Sequence, residues 1–121
     1  MQKLKEKVQS DIPQRCYKFG LNVIKLCDLL PNRRTAWVIG GQLIRSATSV
    51  GANVIEARAS SSRKEYKRYF EIALRSANES VYWLDLLKDS SLCTEVQTET
   101  LRDEAKQISL ILGKSVITLK T

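Results

Sequence analysis

The residues of this sequence best suited to chemistry are cations. Arg58, Arg63, Lys64, Lys67 and Arg68 cluster in one short stretch, opposed there by Glu65 alone and interleaved with Tyr66 and Tyr69. Basic side chains replace condensed counterions on phosphate, and an aromatic ring stacks on an unpaired base, so the combination suits nucleic acid. A solvated helix end would carry similar residues. Against that reading, cations at a helix N-terminus oppose the macrodipole by about 0.3 to 1 kcal/mol each, which suggests that they are kept for something other than helix stability. Arg33 and Arg34 form a second, smaller basic site. If both sites contact nucleic acid, the protein lies lengthwise along it or binds as an oligomer.

Catalytic chemistry has weaker support. The absence of histidine removes the commonest general base and the commonest metal ligand together. Glu71, Glu79 and Asp85 offer carboxylates for metal-dependent phosphoryl transfer, which needs no histidine, but their spacing fits a helix surface equally well. Cys16, Cys27 and Cys93 form no Cys-x-x-Cys pair, and their odd number points to reduced thiols in a cytoplasmic protein. The expectation is a non-enzymatic protein with no metal and no cofactor.

A second polar constellation lies on Gln42, Arg45, Ser49, Asn53 and Glu56, which recur at spacings of three and four. Folding the chain back near Ser61 brings Arg45 level with Ser76 and within about one helical turn of Glu79. An Arg45–Glu79 pair, with Ser49, Asn53 and Trp83 alongside, would form a polar seam between helices or between subunits. It reads first as a network that fixes register and second as a binding site. Spacing alone leaves open whether Arg45 faces core, interface or pore. Trp37 is expected at an interface.

Four helices must position these groups. Residues 1–10 are a charged lead-in, frayed or an extension of the first helix, followed by a domain over residues 11–121. Asp11-Ile12-Pro13-Gln14 resembles a helix start, with Pro in the first turn. An apolar stripe then follows through Cys16, Phe19, Gly20, Val23, Ile24, Cys27 and Leu30, and Pro31 to Arg34 read as a loop. Helix two spans about Thr35 to Ala59 on Leu43, Ala47, Val50, Val54 and Ala57. Ser62-x-x-Glu65 and Thr94-x-x-Gln97 have capping-box spacing and open helices three and four. No stretch alternates long enough to be a strand. Short loops force neighbouring helices to be antiparallel, giving an all-α, up-down-up-down four-helix bundle. All five glycines fall inside helical patterns, and close helix packing is expected to compensate their cost.

At 121 residues the chain has room for one domain, and its +7 formal charge favours anionic partners, nucleic acid before a membrane surface. No apolar run is long enough to be a signal peptide or a membrane span.

Taken together, Gln42-Leu43-x-Arg45-Ser46-Ala47-x-Ser49-Val50-x-x-Asn53-x-x-Glu56-Ala57, Ser62-x-x-Glu65-Tyr66 and Ile72-Ala73-x-x-Ser76-x-x-Glu79-x-x-Tyr82-Trp83-Leu84 resemble a known family. It comprises proteins encoded in intervening sequences of bacterial 23S ribosomal RNA genes, related to the accessory variability determinants of diversity-generating retroelements. The resemblance covers about residues 14–119. It implies a bundle that assembles into a homopentameric barrel with a basic surface, and, for the accessory proteins, partners in a reverse transcriptase and its template RNA. The family's Arg-Ser, Ser and Asn positions fall on Arg45, Ser46, Ser49 and Asn53, and its acidic and Trp positions on Glu79 and Trp83. Many relatives have Gly where this chain has Arg58, and an acidic-aromatic pair in helix three that is Glu65-Tyr66 here. The function expected is a basic, oligomeric nucleic-acid-binding protein, RNA before DNA, with a reverse transcriptase as a further partner. The alternative is a protein-interaction scaffold.

Overall fold

A computed structural model describes the backbone of residues 2–120 and the side chains of residues 11–119. Among the described residues there are four helices and no strand: α1 (Gln2–Asp28), α2 (Arg34–Ala59), α3 (Arg63–Asp89) and α4 (Glu95–Lys120).

The helix boundaries follow from local chemistry. Thr94 Oγ1 accepts from the Gln97 amide at 3.2 Å while Gln97 Oε1 accepts from the Thr94 amide at 2.8 Å, so α4 opens with a complete capping box. At α3 only half of the box forms. Ser62 Oγ accepts from the Glu65 amide at 3.1 Å, but the Glu65 carboxylate takes the Ser61 hydroxyl at 3.3 Å instead of returning the bond. The α3–α4 turn closes through Ser91, whose φ of 62° is left-handed. The Leu87 carbonyl there accepts from both the Leu92 and Cys93 amides, at 3.0 and 3.1 Å.

The lead-in extends the first helix upstream of the Asp11 start signal. The helix runs through Asp11, and Pro13 sits inside it. An internal proline loses one hydrogen bond and crowds the preceding turn, at about 3 kcal/mol or more. Burial of Ile12, Cys16 and Phe19, at 4%, 1% and 1% exposed, holds the segment helical through the proline. The side chains of Lys3, Lys5 and Lys7 lie outside the described residues.

Side-chain pairs fix the topology. Ser46 meets Ser80 and Ser49 meets Ser76, so α3 descends as α2 climbs. Asp85 meets Arg102 and Asn78 meets Ser109, so α4 is antiparallel to α3. Arg15 reaches Glu104 and Gln107, closing the ring between α1 and α4. The contact of α2 with α3 is the most extensive, and that of α1 with α4 the least.

Leu43, Ala47, Val50, Val54 and Ala57 are fully buried as their spacing predicts, and the α4 stripe of Leu101, Ala105, Ile108, Leu112 and Val116 is buried throughout. On α1 the buried set is Ile12, Cys16, Phe19, Gly20, Val23 and Leu26, while Ile24 is 40% exposed. Alternating steps of three and four carry the stripe past Ile24, which is left on the flank.

The glycines divide. A Cβ at Gly51 would lie 3.4 Å from Cys16 Cβ, so α1 and α2 approach closely there, whereas one at Gly40 would lie 2.8 Å from Leu30 Cδ1, the end of a side chain in the α1–α2 loop. Gly41 and Gly113 have nothing within 4 Å, so packing within the chain does not compensate them.

Burial pushes the Cys16 thiol up to about 12 from 9.0, with Glu104 adding to the shift. The folded thiol therefore stays protonated while the unfolded one ionises. Its contribution to stability is complete below about pH 9 and is lost as pH rises from there towards 12. Melting temperatures measured between pH 8 and pH 11 should fall more steeply for the wild type than for Cys16→Ala. Parallel curves would show that Cys16 is not the group responsible.

Candidate nucleic-acid interface and polar seam

The turn from α2 to α3 puts the cation cluster at one end of the bundle. Arg58 lies in the last turn of α2, and Arg63 and Lys64 lie in the first turn of α3. Arg58, Arg63, Lys64 and Arg68 are exposed. The Arg63 guanidinium donates to the Thr118 carbonyl at 3.4 Å, near the C-terminus of α4. That helix end carries negative partial charge, which offsets the penalty Arg63 incurs at the N-terminus of α3. Lys67 is half-buried and pairs with Glu71 at 3.5 Å. Lys64 and Arg68 have no ion pair among the described residues, and neither a helix C-terminus nor a carboxylate compensates them.

Arg33 and Arg34 occupy the other end of α2, roughly 36 Å away at 1.5 Å per residue. Both are exposed, and Arg33 is the N-cap of α2 with extended backbone and no side-chain cap. The two basic sites do not form one surface at an end of the bundle.

The polar seam lies between α2 and α3. Ser46 and Ser80, 3% and 0% exposed, share a hydrogen bond of 3.0 Å. Each hydroxyl also lies within reach of a carbonyl of its own helix, Ser46 of Leu43 at 3.1 Å and Ser80 of Ser76 at 2.8 Å, so one hydroxyl donates to its partner while the other donates to its own helix. Ser49 and Ser76 pair at 2.9 Å, and the Asn53 amide donates to the Ser49 hydroxyl at 2.9 Å. Towards the surface, Glu79 accepts from the Trp83 indole at 2.9 Å and from Arg45 at 3.4 Å, and Arg45 also donates to Gln42 at 3.0 Å. The Arg45 side chain is 69% exposed, which places it on the surface of the chain and not in its core. No buried side-chain polar atom among the described residues lacks a partner. Ser46 and Ser80 are the pair that the sequence reading left out of the seam. The available signal was a serine at core spacing among Ala73, Ala77, Leu84 and Leu87.

The three carboxylates considered for metal chemistry are drawn apart. Glu71 faces Lys67, Glu79 faces Arg45 and Trp83, and Asp85 binds Arg102 at 2.7 Å. Among the described residues no group of three or more acidic or cysteine side chains is arranged to hold an ion, and no helix is long and apolar enough to cross a membrane.

Compared with known proteins, residues 8–114 match the family model described as 23S rRNA-intervening sequence protein. The fold is similar to a crystal structure from Bacteroides thetaiotaomicron, a protein of unknown function from the S23 ribosomal protein family. That structure has 31% identity and a TM-score of 0.81, over 87% of this chain and 97% of the other. No curated protein matches the chain.

The buried serine pair is testable by a double-mutant cycle. Ser46→Ala and Ser80→Ala should each cost about 1 kcal/mol in urea unfolding, and the double variant should cost less than their sum by about 0.5 kcal/mol or more. Strict additivity would mean that the two hydroxyls act only on their own helices.

Proposed function

We propose, for a chain that belongs to the 23S rRNA-intervening sequence protein family, the role of a non-enzymatic, oligomeric RNA-binding protein. Its phosphate contacts are Arg58, Arg63, Lys64, Lys67 and Arg68, with Arg33 and Arg34 as a second contact zone at the far end. The observation that carries this reading is the position of Lys64, exposed in the first turn of α3, with Arg68 exposed one turn further on and neither having an anionic partner among the described residues. An unfavourable helix-end placement without local compensation is what an external anion would correct. The family is compatible with a small RNA-associated protein, and the +7 charge of the chain favours an anionic partner.

The assembly proposed is a homopentameric barrel, as the resemblance to the accessory variability determinants implies. Support comes from apolar surface left open on the single chain. Trp37, Val38 and Tyr82 are 71%, 59% and 57% exposed, and Tyr17, Leu21, Ile24 and Ile55 edge an open groove between α1 and α2. Around a ring the charge multiplies and the basic ends of the chains form a continuous belt, so a modest patch becomes a strong field. Assistance to a reverse transcriptase is the extension of this reading that the same resemblance supports.

A scaffold role is favoured by one observation of its own. Arg45 and Tyr82 are exposed on the flank of α2 and α3, and Trp37 is exposed on the side of α2 that faces α1; Trp, Tyr and Arg are the residue types that anchor protein interfaces. Partner capture that survives nuclease and high salt would select this reading.

Fluorescence polarisation with a structured RNA across a salt series tests the main proposal, with a DNA of matched sequence as competitor. Log affinity should fall with log salt by roughly 0.7 to 0.9 per phosphate neutralised, and Lys64→Ala/Lys67→Ala/Arg68→Ala should bind more weakly with a shallower slope. A variant that matches the wild type would make the basic turn a solvated helix end. Native mass spectrometry should give five chains per particle, and a monomer at every concentration would remove the barrel.

A further inference from the structure

A cavity of about 200 Å³ opens at the basic end of the bundle, where all four helices contribute to its wall. Ile12, Val54, Leu112 and Phe70 form an apolar floor, and Arg58, Tyr66, Ser115 and Thr118 supply polar groups around it. Tyr66 stands edge-on to Phe70, with centroids 4.6 Å apart and an interplanar angle of 69°. The Tyr66 hydroxyl makes no hydrogen bond among the described residues. Ser115 donates its hydroxyl hydrogen to the Ile111 carbonyl at 3.1 Å, which leaves its oxygen lone pairs able to accept.

From this arrangement we infer that the cavity receives one unpaired nucleobase of a bound RNA strand. The inference rests on the RNA-binding reading above and assigns it a base-recognition site. Size is the first argument. Pockets for whole drug-sized ligands run to roughly 300 Å³ and more, so this one accommodates a ring and not a long acyl chain or a complete cofactor. Its surroundings are the second. Arg58 lines the cavity itself, and Arg63 is bonded to Thr118, another lining residue, so two phosphate-binding cations sit at the rim. A ligand with a planar, half-polar ring attached to a polyanionic chain matches both the interior and the rim. An unpaired base does so, with its face against the Tyr66 ring and its edge towards the Tyr66 and Ser115 hydroxyls. Phosphate contacts alone fix position without reading a base, and the cavity adds the second kind of contact.

The test compares a fluorescein-labelled oligouridylate with an abasic ribose-phosphate strand of the same length, at one salt concentration. Uridine runs stack little on themselves, so their bases are available to the cavity. The wild type should bind the oligouridylate about fivefold or more tightly than the abasic strand. Tyr66→Leu, which removes the ring, and Ser115→Leu, which fills the space, should each lower oligouridylate affinity to the abasic level while leaving abasic binding unchanged. Melting curves confirm that each variant folds, and the comparison of the two strands on the wild type stands even if a variant does not. Equal wild-type affinity for the two strands, with a normal salt slope for both, would overturn the base site and leave the phosphate-binding reading standing. Absence of binding to either strand would sink both. A preference for the oligouridylate that persists in both variants would place base recognition elsewhere on the surface.

Discussion

Helix α2 must be packed from two sides at once, and that requirement governs the rest of the bundle. Only small side chains let two neighbours approach one helix closely. Ala47 and Ala57 on α2 and Ala73 and Ala77 on α3 are fully buried, and Gly51 sits against Cys16 of α1. Close approach of α2 and α3 has a polar consequence. A serine at the contact cannot reach water, and a buried hydroxyl without a partner costs about 1 to 3 kcal/mol. Facing serines can supply that partner to one another, beside the carbonyls of their own helices. Ser46 with Ser80 and Ser49 with Ser76 do so about one turn apart. A slide of α3 by one turn would leave one serine pair at most, Ser46 opposite Ser76 or Ser49 opposite Ser80, and strand the other two hydroxyls, so the seam favours the observed register over its neighbours. The ion pair of Arg45 with Glu79 is the exposed outer end of the same seam and adds little by itself, since exposed pairs contribute about 0 to 1 kcal/mol.

The same packing decides where charge can accumulate. Side chains on the facing sides of α2 and α3 are taken up by helix contacts, whereas the connecting turns are short and solvated. The break at Ser60 to Ser62 brings the positive end of the α3 dipole beside the negative end of α4. Arg63 bridges the two through the Thr118 carbonyl, which gives this one cation a structural reason to be there. Lys67 has another in Glu71. What remains unexplained by the chain itself is narrower than the whole basic cluster, and it is Lys64 and Arg68.

Much of this architecture is legible in the residues. The stripes on α2 and α4 are complete and at unambiguous spacing, and Thr94 to Gln97 opens a helix just as its residue types dictate. The seam could be anticipated because Arg45, Ser49, Asn53 and Glu79 are polar where a two-sided helix has little room for them. Three features were not legible, for different reasons. Asp11 and Pro13 form a good local start signal, but burial of Ile12 on the same stripe as Cys16 and Phe19 overrides it, and local propensity is the weaker term. Gly41 and Gly113 look like packing glycines in one dimension, yet the face each presents is set by how the helix is rotated, which spacing determines only to within a residue or two. The cavity beneath Tyr66 is the least accessible, since its wall takes residues from four helices whose juxtaposition exists only once the bundle is closed.

The position of that cavity bears on why the chain carries so much positive charge. Charge contacts raise association rate and affinity for any polyanion, and they are screened within about 8 Å at physiological ionic strength. A protein relying on them alone would bind ribosomal, messenger and transfer RNA alike, and would release all of them together as salt rises. Selectivity needs a contact whose strength does not scale with phosphate count. The end of the bundle offers one place for it: the cations come from α2 and α3, the hydroxyls from α3 and α4, and the apolar floor from all four helices. Moving the cluster to the flank of α2, where Arg45 stands, would keep the field but lose the floor, because the seam there is already filled by serines. In the RNA-binding reading, affinity and discrimination are combined where the helices end and a cavity among the described residues adjoins the cations.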